Sequence, residues 1–213
     1  MIQEGVEKLT NKYALALHTT SPELGLALSN FIGDSRSQVW GLGRSLSTHL
    51  HYHLSEFLQP QTWADLAFIA VAKGPGSFTS TRMGVVTART LAQQSNIPLF
   101  AISSLEAIAH SEKSQAEILA IQLPAQSDRV YAAIYQVTAS SITPLLPDSV
   151  MTTDAWQNTL ETWHTPYKLI QAESGLGATV TSVLELAYLS WQQGKLPTWT
   201  EALPFYGQHP VEL

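Results

Sequence analysis

Cysteine is absent from the 213 residues, which excludes disulfides and thiolate metal sites. Charge is scarce as well: Asp, Glu, Lys and Arg make up 13% of the chain, and the formal net charge is -6. Only 11 Lys and Arg are present, with no run of them. Nucleic-acid binders draw much of their affinity from a basic face that neutralises phosphates, so this chain is a poor candidate for gripping RNA alone. No stretch approaches the ~20 consecutive apolar residues of a membrane span. The segment from Met1 to Lys12 is polar and has no apolar core of a secretory leader. The expectation is a soluble cytoplasmic protein with no membrane partner.

What is present suits a packed α/β protein. Hydrophobic residues reach 45%, enough for a real core, and the length fits one large domain or two of roughly 100 residues each. So little charge leaves little polar surface, which points to a partner covering part of the outside. Tyr13 to His18 reads as a short buried strand, Leu24 to Asn30 as a returning one and Ser37 to Leu42 as a third. Leu46, Leu50, Leu54, Phe57 and Leu58 then share one helix face, closed by Pro60. Leu66 to Ala72 is a continuous apolar run that suits a strand buried on both faces. A glycine loop follows, then a helix over about Thr79 to Ser95, a strand over Pro98 to Ile102, and a helix through about His110. Ser103 and Glu106 stand at capping-box spacing at the start of that last helix.

A second, weaker series begins at Ile118. Strands are expected at Ile118 to Ile121, Arg129 to Gln136 and Tyr167 to Ala172. Helices are expected at Asp154 to Trp163, capped by Thr152 or Thr153, and at Thr179 to Gln193, closed by Gly194. Pro144 to Pro147 reads as a loop. No linker or low-complexity segment separates the halves. The division is taken at residues 1–110 and 111–213.

The loop Gly74, Pro75, Gly76, Ser77, Phe78, Thr79 lies between a strand and a helix, an anion-binding geometry in principle. Glycines allow a tight turn with exposed N–H groups, and the helix N-terminus adds partial positive charge. Arg82 lies one turn further on, and Ser77 and Thr79 are candidate caps. A tight structural turn with a good cap is the alternative, because the loop matches neither a P-loop nor a dinucleotide fingerprint.

The run Val71-Ala-Lys-Gly-Pro-Gly-Ser-Phe-Thr-Ser-Thr-Arg-Met-Gly84 resembles the signature of the TsaB (YeaZ) family, accessory subunits for threonylcarbamoyladenosine synthesis in tRNA. The likeness continues through Ile97-Pro98-Leu99, Ile102 to Leu105 and Ala14 to Thr20, and covers the first ~110 residues best. The resemblance implies two actin-like (ASKHA, ribonuclease H-like) lobes of the β-β-β-α-β-α kind, the second degenerate. It implies a non-catalytic partner that activates a metal-binding TsaD-type paralogue, which modifies adenosine 37 of certain tRNAs. A TsaE-type ATPase joins them, and tRNA is met only through the complex. No cofactor is expected on this chain alone, with ATP or ADP held at the complex interface. The first two helices would dock the paralogue, or a second copy of the chain when alone. Leu50, His53, Leu54, Phe57, Met83, Val86 and Arg89 are the candidate contacts.

Departures from the family pattern carry information. The family has an Asp where His18 stands, and an imidazole cannot replace a carboxylate as a magnesium ligand. Ser80 replaces a glycine, Leu46 a histidine, and Ile121-Gln122-Leu123-Pro124 an Ile-Asp-Ala-Arg segment. Aligning Pro98-Leu99 and Ile102 with the catalytic paralogue places its two metal histidines on Ser104 and Ile108. No catalytic residue and no metal site are therefore expected. His49 and His53 share a helix face at zinc-compatible spacing, but Leu50 stands where the metalloprotease motif has its glutamate. The rival readings are an actin-like ATPase or kinase and a glycoprotease-like peptidase.

Overall fold

The computed structural model describes residues 12–112, 117–138 and 141–207. Most of the polar N-terminal segment read above lies outside the described residues. The first sheet contains β1 (Tyr13–His18), β2 (Glu23–Ser29), β3 (Ser35–Gly41), β4 (Leu66–Ala72) and β5 (Leu99–Ile102), in the order β3-β2-β1-β4-β5. β1, β2 and β3 form an antiparallel meander, and β1, β4 and β5 run parallel. The helices α1 (Leu46–Leu58), α2 (Phe78–Ser95) and α3 (Ser104–Ser111) complete the first lobe in chain order.

Strand alternation divides the apolar residues of β1 and β4 between two cores. Leu15, Leu17, Ile69 and Val71 meet the stripe of α1 and Val85, Ala88 and Ala92 of α2. Ala14, Ala16, Ala70 and Ala72 face the other way, under a helix from the end of the chain, α5 (Val180–Gln192). The small side chains on that face let the helix lie close to the sheet.

The second sheet holds β6 (Glu117–Pro124), β7 (Arg129–Val137), β8 (Ile142–Thr152) and β9 (Lys168–Gln171), in the order β8-β7-β6-β9. Helix α4 (Thr153–Glu161), capped by the Thr152 hydroxyl, covers one face through Trp156. The other face packs on Leu105, Ile108 and Ala109 of α3. The second lobe thus follows β-β-β-α-β-α, the order that the family resemblance implies, and both lobes are α/β.

The structure corrects two local expectations. Pro144 and Pro147 are not in a loop but within β8, which lies at the sheet edge where a missing N–H is tolerated. The register shifts between Ala132↔Ser149 and Ile134↔Leu146, so the segment holding Pro147 and Asp148 is bulged. Secondly, the helices do not stay with their halves. α3 packs on the second sheet and α5 on the first, and α3 and α5 touch each other. A cut at residue 110 separates the strands of the two sheets but not the helices that cover them.

Candidate functional site

The glycine loop sits where the C-terminal ends of β1, β4 and β5 converge. Ser77 N–H donates to the Thr20 carbonyl at 2.7 Å, and Ser104 N–H donates to the Gly74 carbonyl at 2.8 Å. Phe205 N–H donates to the Lys73 carbonyl at 2.7 Å, and the Thr19 hydroxyl donates to the Ser80 carbonyl at 2.8 Å. Gly76 has φ +156°, and a Cβ there would collide with Thr20. A Cβ on Gly84 would collide with the Thr19 hydroxyl. The motif glycines thus permit close approach of α2 and its loop to the turn after β1.

These bonds tie the loop to the turn after β1 and to the start of α3. The Ser77 N–H is taken by the Thr20 carbonyl and is not open to an anion at the start of α2. Ser77 occupies the N-cap position of α2, yet its hydroxyl donates to Ser80 Oγ instead of accepting from the helix. The expected side-chain cap by Ser77 is therefore not formed. Ser77, Phe78, Thr79 and Arg82 are exposed, whereas Gly74 and Pro75 are buried. The Phe78 ring packs on Tyr206 with centroids 4.4 Å apart.

Beneath the loop, His18 is fully buried, and neither ring nitrogen has a partner among the described residues. Burial lowers its pKa to about 3, so the imidazole is neutral. Ser104 is also fully buried and shares a hydrogen bond with Thr20 Oγ1 at 3.0 Å. Ile108 belongs to the core between α3 and the second sheet and offers no donor atom.

A polar cluster next to the loop joins the lobes. Ser103 caps α3, accepting from the backbone N–H of Leu105 and Glu106. Its hydroxyl donates to Asp148 Oδ2 at 2.5 Å, and the Tyr135 hydroxyl donates to Asp148 Oδ1 at 2.5 Å. Burial raises the Tyr135 phenol, with Asp148 adding to the effect. Burial also raises the Glu106 carboxyl, reinforced by Asp148 and opposed by Lys73 and Lys195. Sequence reading missed Asp148 because only the bulge in β8 aims it at Ser103.

The candidate partner contacts separate by burial. Leu50, Leu54 and Phe57 are 1%, 2% and 8% exposed and belong to the first core. They are corrected from surface contacts to core residues. Met83 is half-buried against the same core. The His53 ring lies against Trp40, tilted, with centroids 4.7 Å apart, and the Arg89 guanidinium lies 5.4 Å from the Trp199 ring centre. Val86 is 53% exposed on α2, and Tyr52, which sequence reading passed over, is 60% exposed on α1. The position of Tyr52 off the leucine stripe was the available signal. His49 and His53 have ring centroids 6.2 Å apart, and no group of three metal-capable side chains occurs among the described residues.

A protein from Bacillus subtilis, described as tRNA threonylcarbamoyladenosine biosynthesis protein TsaB, is 33% identical over 167 residues. The match covers 76% of this chain and 72% of that protein. The chain belongs to the TsaB family. A TsaB protein of Buchnera aphidicola from Schizaphis graminum is 33% identical over 76 residues, covering 35% of this chain and 36% of its own. The family model for TsaD, tRNA N6-adenosine threonylcarbamoyltransferase, matches residues 56–192. In fold, the TsaB-family chain is similar to two Pseudomonas aeruginosa crystal structures. One is YeaZ, with TM-score 0.73 at 21% identity, and the other is an uncharacterized protein with similarity to peptidase YeaZ, with TM-score 0.77 at 22% identity. Each alignment covers 92% of this chain and 100% of the other.

Proposed function

We propose that this chain is a non-catalytic subunit in the formation of N6-threonylcarbamoyladenosine in tRNA, activating a TsaD-type paralogue. The observation that carries the reading is the state of Ser104 and Ile108. These positions, which align with the paralogue's metal histidines, hold a hydroxyl bonded to Thr20 and an aliphatic core side chain. The neutral, buried His18 in place of a carboxylate speaks in the same direction. Docking uses the outer surface of α1 and α2, where Tyr52, Val86 and Arg82 are exposed. The same surface pairs two copies of the chain when the paralogue is missing. A TsaE-type ATPase completes the assembly, ATP or ADP binds between subunits, and tRNA reaches the chain only in the complex. The setting is the cytoplasm; no described helix is long and apolar enough to cross a membrane.

Co-purification tests this reading. The wild-type chain retains the TsaD-type paralogue, and Val86→Glu or Tyr52→Glu releases it with the fold unchanged. Retention by both variants overturns the docking surface. Magnesium-dependent ATP hydrolysis by the chain alone overturns the non-catalytic role.

A further inference from the structure

β5 is the last strand of the first sheet, with β4 on one side and no strand on the other. Its backbone hydrogen-bonding groups point alternately to the two sides. Ile69 N–H donates to the Pro98 carbonyl and Lys73 N–H to the Ile102 carbonyl, so the even-numbered positions face β4. The backbone groups of Leu99 and Ala101 therefore face outward. The chain uses the first outward donor itself: Leu99 N–H donates to the Pro197 carbonyl at 3.1 Å. It then turns away into the short 3-10 helix Trp199–Glu201 and returns only at Phe205, whose N–H goes to the Lys73 carbonyl. Ala101 N–H, Ala101 C=O and Leu99 C=O are left without a partner among the described residues.

A cleft of about 890 Å³ opens along this free edge. Leu186 and Leu189 of α5 wall it on the face that carries Phe100 and Ile102. Ala202 lines it from the core on the opposite face, which carries Leu99 and Ala101. A strand added here is thus covered on both faces, as β1 and β4 are. Lys73 and Lys195 in the lining are matched by Glu106 and Glu201, so formal charge selects neither an anion nor a cation. What the cleft offers without a partner is main chain at strand spacing, and an unpaired strand edge is a template for another strand.

We infer that the free edge of β5 binds an extended segment of a partner polypeptide, which continues the first sheet beyond β5. The segment exchanges backbone hydrogen bonds with Ala101, and its side chains point alternately towards α5 and towards Ala202. Main-chain pairing selects a peptide over a lipid or a nucleotide of equal size, because neither of those carries N–H and C=O groups at strand spacing. The site is separate from the outer surface of α1 and α2, no residue of which lines the cleft.

Titration of the full chain with a blocked hexapeptide of alternating valine and threonine, read by calorimetry and amide hydrogen exchange, tests the assignment. The expected result is saturable binding of one peptide per chain, with exchange slowed at Ala101 and unchanged at Phe100, whose N–H already faces β4. The same peptide methylated at every amide nitrogen keeps the side chains but loses the donors, and binds at least about tenfold more weakly. Ala101→Pro deletes the outward N–H at a position where a sheet edge tolerates proline, and weakens the unmethylated peptide on the order of tenfold. The methylated peptide and the exchange pattern are read on the wild-type chain, so they hold whether or not Ala101→Pro folds. Absence of binding up to about 1 mM peptide, equal affinity for the methylated peptide, or binding without protection of Ala101 overturns the proposal.

Discussion

In the first lobe β1 and β4 are buried on both faces, between α1 and α2 on one side and α5 on the other. In the second, the four-stranded sheet carries one short helix of its own, and β8 and β9 are largely half-buried or exposed along their length. Both lobes begin with the order β-β-β-α-β-α. The second lobe has no counterpart of the α2–β5 unit among its described elements. Instead it borrows α3 from the first lobe and gives α5 back. The difference teaches that a reduced lobe stays folded here because the exchange of helices ties each sheet to the other half of the chain.

The largest test of that comparison is Leu54→Glu. It removes a core side chain and buries a carboxylate, and lowers stability by about 4 kcal/mol or more in urea denaturation. Because α3 and α5 are exchanged, both lobes unfold in one transition. Two separate transitions, seen by hydrogen exchange on β1 and on β6, would break the comparison.

His18 gives the next effect, confined to the first lobe. Its folded pKa of about 3 lies below the ordinary histidine value of 6.5. Between those values the unfolded chain binds a proton that the folded chain does not. Stability is therefore held above pH 6.5 and falls as pH drops towards 3, at up to about 1.4 kcal/mol per pH unit. His18→Leu flattens that part of the stability–pH curve. An unchanged slope would place the acid sensitivity elsewhere.

Arg36 fastens β3 to the end of α1, donating to the carbonyls of Phe57, Leu58 and Gln59 and to the Gln61 side chain. Arg36→Ala lowers stability by about 2 kcal/mol, as expected for charged hydrogen bonds with partly exposed acceptors. Thermal denaturation measures it, and Lys at this position does not restore the loss because it lacks the fork.

Asp148→Asn sharpens the comparison at the junction. It weakens the bonds to Ser103 and Tyr135 and lowers stability by about 1 kcal/mol. It also raises hydrogen exchange at the start of α3 more than within β4. The smallest stability effect is Val86→Glu, within about 0.5 kcal/mol on an exposed helix position.

Most of the first lobe was legible in the sequence. Doubly buried strands read as continuous apolar runs, and the α1 stripe has a clear helical period. The second lobe read less well. Its edge strand carries Pro144 and Pro147, residues that signal loops everywhere except at a sheet edge or bulge. The glycine loop was found at once, but its role was not, because the same glycines serve an anion or a neighbouring backbone equally well.

By itself, the sequence determined the strand and helix order of the first lobe, the strand–loop–helix unit at Gly74, and which side chains stand at His18, Ser104 and Ile108. These depend on residue type and local periodicity. Only the tertiary structure decided that Leu50, Leu54 and Phe57 belong to the core, that Ser77 N–H goes to Thr20, that Asp148 meets Ser103, and that α3 and α5 trade lobes. Each of those outcomes depends on which distant segment fills the space beside a residue, and no local pattern carries that information.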